Sequence, residues 1–189
     1  SNPAAILEDA GLQTINLTGI ADGDADVTQS LTVTATSSNT SLIPNPTVTY
    51  TPDNSTGSLA YTPVSDINGT AVITVTVTDN GGTANSGVNA QSITFTVTVT
   101  PVNDPVTLAS PIDNYSVLED DAATPTDLDN IFDDIDILNG ASSALQTLSY
   151  SIIANNNSDL ATPSIDGSGV LTVSYTSEDN GSATITVRA

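Results

Sequence analysis

The chain has no cysteine, histidine, methionine or tryptophan, and Arg188 is its only base. Each absence removes a class of chemistry. Without His and Cys there is no Ser-His-Asp or Cys-His nucleophile, no thiol redox pair and no zinc site with nitrogen or sulfur ligands. Disulfides cannot staple the fold. A Walker loop needs a lysine, and one Arg cannot neutralise a run of phosphates, so no nucleic-acid partner is expected. No run approaches the roughly 18 apolar residues that span a bilayer, and no basic, apolar leader opens the chain. Membrane insertion is therefore not expected. Against the single base stand 22 acids in 189 residues, a net charge of −21. Carboxylate chemistry and hard cations with oxygen ligands remain within reach.

What the sequence does contain is alternation. Over Thr70–Thr78 the apolar residues Ala71, Ile73, Val75 and Val77 interleave with Thr, apart from Val72. Over Gln91–Thr100, Ile93, Phe95, Val97 and Val99 do the same. A period of two in β-branched residues predicts strands with one buried face. Leu31, Val33 and Ala35 predict a third strand, Val48 and Tyr50 a fourth, Leu59 and Tyr61 a fifth. Turn residues separate them: Pro44-Asn45-Pro46, Asp53-Asn54, Asn68-Gly69 and Asn80-Gly81-Gly82. No stretch has a convincing helical period. The expected class is all-β, a sandwich or barrel.

The chain also repeats itself. Leu7-Glu8-Asp9 recurs as Leu118-Glu119-Asp120, Ile20-Ala21-Asp22 as Ile131-Phe132-Asp133, and Gln29-Ser30-Leu31 as Gln146-Thr147-Leu148. Asn68-Gly69-Thr70-Ala71 recurs as Asn180-Gly181-Ser182-Ala183, and Ile73-Thr74-Val75 as Ile185-Thr186-Val187. The order predicts two homologous domains, 1–104 and 105–189, each a Greek-key β-sandwich. The second stops at Val187-Arg188-Ala189, as an excised fragment would, so it is expected to lack the counterpart of Asp79 and its last strand. An unpaired inner edge is a liability. It is expected to fray or to be covered by another molecule, for example in an edge-strand-mediated dimer. The join, Pro101-Val102-Asn103-Asp104-Pro105, is short and stiffened by two prolines.

The acids gather between the strands. Glu8 and Asp9 lie at the first strand, Asp22, Asp24 and Asp26 in one loop, Asp66 before Asn68-Gly69, Asp79 at a strand end and Asp104 in the join. The second copy has Glu119, Asp120 and Asp121, then Asp133, Asp134 and Asp136, then Glu178 and Asp179. Like charges so close repel unless a cation intervenes. Calcium takes six to eight oxygens from carboxylates, amides and carbonyls at about 2.3–2.6 Å. Acid clusters are also common as a plain solvated surface; their recurrence at equivalent places in both copies favours the ion.

These motifs carry a resemblance. Asp66-Ile67-Asn68-Gly69 before Ala71–Val77, then Val77-Thr78-Asp79, then Phe95–Val99 running into Pro101-Val102-Asn103-Asp104-Pro105, are similar to the cadherin-like, immunoglobulin-like tandem repeats of very large bacterial surface proteins. So are Leu118-Glu119-Asp120, Ile131–Asp136 and Ala183–Ala189. The resemblance implies a seven-stranded Greek-key sandwich, tandem arrays of neighbouring repeats, a secreted or cell-surface location, and calcium at the joints. It assigns ligand roles to Glu8, Asp66, Asn103, Asp104 and Asp134-Ile135-Asp136, with Asp133 as the alternative to the Asp-x-Asp pair. It assigns weaker half-sites to Asp22, Asp24 and Asp79, and to Glu119 and Glu178. The sequence departs from the cadherin pattern at Asn68, where a second carboxylate would stand.

Other motifs are weaker. Asp22-Gly23-Asp24-Ala25-Asp26 begins like an EF-hand but has Val27 and Val33 where Gly and Glu are required. Asp166-Gly167-Ser168-Gly169 reads as a hairpin turn. Paired carboxylates for glycoside hydrolysis would need an apolar wall to raise the pKa of the acid, and aromatics total 4%. No enzyme activity is expected. The expectation is a calcium-binding, rod-forming structural repeat of an extracellular adhesion protein, partnered by its neighbours and by other surface proteins or polysaccharide. A carbohydrate-binding module is the alternative, with Tyr115 its one aromatic outside a core pattern.

Overall fold

The structure, a computed structural model, describes residues 1–23, 29–82, 88–118, 121–138 and 146–189. It divides into two compact units, Ser1–Val102 and Asn103–Ala189. Each is all-β. Among the described residues no helix is long and apolar enough to cross a membrane.

Unit 1 has seven strands: β1 (Ile6–Leu7), β2 (Gln13–Thr18), β3 (Leu31–Ser37), β4 (Thr47–Tyr50), β5 (Thr56–Tyr61), β6 (Gly69–Asp79) and β7 (Ala90–Thr100). They form a four-stranded sheet, β1-β7-β6-β3, and a three-stranded sheet, β2-β5-β4. The chain changes sheet between β1 and β2, β2 and β3, β3 and β4, and β5 and β6, which is Greek-key connectivity. Alternation sets the layering. Leu17, Leu59 and Tyr61 from one sheet pack with Val33, Ile73 and Val97 from the other in one core, while Thr32, Thr34 and Thr70 stay exposed. Leu42 and Ile43, both wholly buried, plug the β3–β4 crossing, where Leu42 accepts a backbone bond from Val64. Burying side chains of this size stabilises by about 1.5–3 kcal/mol each.

Unit 2 contains β8 (Thr107–Leu108), β9 (Thr124–Asp127), β10 (Phe132–Asp133), a helical turn α1 (Ile135–Leu138), β11 (Ser151–Asn155), β12 (Ala161–Ile165), β13 (Val170–Tyr175) and β14 (Ile185–Arg188). The sheets are β12-β13-β9, β11-β14 and β10-β8. Leu128, Ala161, Leu171 and Val173 form its core, with Tyr150, Ile152 and Ile185 against them. Asp166 closes the β12–β13 hairpin: it accepts bonds from Val170 N, then from the hydroxyl and N–H of Ser168, which hold its carboxyl below the usual range. The turn α1 was not expected from periodicity, because four residues are too few to display one.

Candidate metal centre

In unit 1 the ligand candidates hang on β1, β7 and the turn before β6. Parallel pairing sets Leu7 beside Thr100, and Glu8 N–H donates to the Thr100 carbonyl at 3.1 Å. The Glu8 side chain then accepts from Val102 N–H through Oε1 at 2.6 Å. Glu8 is 1% exposed. A buried carboxylate calls for hydrogen bonds together with a counter-charge or metal. Asp66 precedes β6 in the left-handed region, φ 59°. Its carboxylate oxygen and that of Asp9 lie within 4.8 Å of each other. Two oxygens on one calcium are at most about 5 Å apart, so this pair has the spacing an ion can bridge.

Unit 2 builds its set from the join and the segment around α1. Asp133 Oδ1 accepts from Asp134 N at 2.9 Å, and Asp134 Oδ1 from Asp136 N at 3.0 Å. This is the local Asx bonding that short acids favour at a turn. Asp136 Oδ2 in turn accepts from Asp104 N at 2.9 Å. The chain of bonds fixes each carboxylate, and oxygens of Asp104 and Asp136 lie within 4.8 Å of each other. Asp134 and Asp136 are 6% and 5% exposed. Asn103 is more occupied: its Oδ1 accepts from Gln146 Nε2 at 3.0 Å and its Nδ2 donates to the Asp104 carbonyl at 3.1 Å.

The weaker candidates are placed differently. Asp22 accepts from Gln29 N at 3.1 Å and Asp79 from Gly81 N at 2.7 Å. Among the described residues neither joins two other acids at ligand spacing. Glu178 is exposed and left-handed at φ 59°. Asp24 and Glu119 lie outside the described residues. The residue that sequence reasoning passed over is Asp9. Alternation around β1 turns Glu8 inward and leaves Asp9 exposed, and only the turn before β6 brings Asp66 to it. Tyr115 is exposed, and its hydroxyl is engaged with that of Tyr175 at 3.2 Å.

No protein-family model matches the sequence, and no curated protein matches it. Among solved structures it is similar to domains 4 and 5 of the S-layer protein SbsC, at 22% identity and a TM-score of 0.30, over 82% of this chain and 64% of that one. The chain thus spans less than two-thirds of the length of that structure. It is also similar to SbsC domains 5–6, at 14% identity and a TM-score of 0.34, over 100% of this chain and 87% of that one.

Proposed function

We propose that this chain is a non-enzymatic, calcium-binding pair of structural repeats from an extracellular bacterial surface protein, and that calcium stiffens the join between its units. One observation carries the reading. Glu8 of unit 1 holds the backbone N–H of Val102, and Asp136 of unit 2 holds the backbone N–H of Asp104. Each unit thus has an acid anchored on its own end of the join that runs from Pro101 to Pro105. Only oxygen ligands are on offer, which suits calcium over softer metals. The resemblance to cadherin-like repeats supports the extracellular role. The polysaccharide reading has less support: among the described residues Tyr115 is the single strongly exposed aromatic, and they offer no stacking row.

Small-angle scattering of chelator-treated protein, with and without calcium, tests this. Calcium is expected to narrow the distribution of particle dimensions. Asp104→Lys or Asp136→Lys should abolish that change, and Asp53→Lys should not. Identical profiles in both states would contradict the stiffening.

A further inference from the structure

Oxidants take sulfur side chains first, and this chain has neither Cys nor Met, nor Trp or His. Oxidative chemistry therefore falls to its five tyrosines. Three of them are committed elsewhere. Tyr61 belongs to the core of unit 1. The Tyr50 hydroxyl donates to the Asn54 carbonyl at 3.0 Å, and that of Tyr150 to the Asp129 carboxylate at 2.6 Å. The other two meet each other. Tyr175, the last residue of β13, donates its hydroxyl hydrogen to the Tyr115 oxygen at 3.2 Å. Both residues belong to unit 2, and they lie 60 positions apart. Both rings are within reach of a small oxidant, since Tyr115 is exposed and Tyr175 only partly buried.

We propose that Tyr115 and Tyr175 form an oxidative cross-linking site, coupled to dityrosine by hydrogen peroxide and a haem peroxidase. Removing one electron and the phenolic proton from a tyrosine leaves a radical. Its unpaired spin is shared by the oxygen and the ring carbons ortho to it. Two hydroxyls in contact therefore hold the reactive carbons of their rings near one another. Each ring gives up one electron and its phenolic proton, and the two radicals join through a carbon–carbon bond ortho to each hydroxyl. The hydrogen on each joined carbon then moves to the oxygen, which restores both phenols. The two electrons and two protons reduce one peroxide to two waters. The new bond does for this chain what a disulfide does for others. It ties the stretch around Tyr115, which is in no strand, to β13, and it constrains the unfolded chain by closing a long loop.

Treating the dilute full chain with hydrogen peroxide and a haem peroxidase tests this. The expected product is a monomer lighter by one pair of hydrogens. It should show dityrosine fluorescence and yield a linked fragment carrying both residues after digestion at acidic residues. Tyr115→Phe and Tyr175→Phe keep the rings and should each lose this product, whereas Tyr50→Phe should retain it. The purified linked monomer should need more urea to unfold than the untreated chain. Dityrosine confined to covalent dimers would overturn the proposal. So would an equal yield of linked monomer from Tyr115→Phe, or a urea midpoint that does not rise on linking.

Discussion

Asp66 and Glu178 hold the same left-handed backbone conformation, φ 59° in each, at equivalent places ahead of β6 and β14. Each is followed three positions later by a glycine with positive φ, Gly69 at 136° and Gly181 at 153°. The two units thus share a turn as well as strands. A Glu in that region is strained more than a Gly would be.

Glu178→Gly should raise the calcium-free stability of unit 2 by about 0.5–1 kcal/mol through relief of that strain. Asp66→Gly should give unit 1 a similar gain but remove part of the stabilisation that calcium confers. Melts of both variants with and without calcium check the pair.

Gly169 tolerates no side chain. Its φ is 80°, and an added Cβ would lie 2.9 Å from the Tyr150 ring, which packs on Phe132 and bonds to Asp129 at 2.6 Å. Gly169→Ala should cost about 1–3 kcal/mol, read as a lower urea midpoint for unit 2 with unit 1 unchanged.

Truncating equivalent core positions should cost unequal amounts. Ile73 is wholly buried, whereas Ile185 is partly open. Ile73→Ala should destabilise by about 3–4 kcal/mol, and Ile185→Ala by about 1–2 kcal/mol. Denaturant unfolding of the two variants gives the comparison.

Unit 2 should weaken in alkali. Although half of the Tyr115 side chain is open to solvent, partial desolvation of its hydroxyl, then the hydrogen bond to Tyr175, pushes it up from 10.0 to about 12. Burial and Asp129 raise Tyr150 as well. A raised folded-state pKa gives stability that is complete below the unfolded value and lost as pH rises through the folded one. Unfolding free energy should therefore fall from near pH 10 towards pH 12, and Tyr115→Phe should flatten that slope.

The long strands were legible because one face of each is buried. The alternation over Thr70–Thr78 and Gln91–Thr100 became β6 and β7, and the repeat gave β14 from β6. Short elements had no period to show: β1 has two residues and α1 four. Pro125 hides β9, which is tolerated because β9 is the edge of its sheet. The acids were legible as clusters but not as geometry. Asp104 and Asp136 are 32 positions apart, and their bond depends on how the segment around α1 folds back to the join. The proximity of Asp9 to Asp66 likewise comes from tertiary structure.

The most direct measurement is a calorimetric titration of chelator-stripped protein with calcium, paired with a melt of each state. The account predicts saturable heat, at least one ion per chain, and a higher melting temperature. At calcium a hundredfold above Kd the gain should be about 2.7 kcal/mol. Neither heat nor a shift in melting at millimolar calcium would contradict it, and the acids would then be a solvated surface.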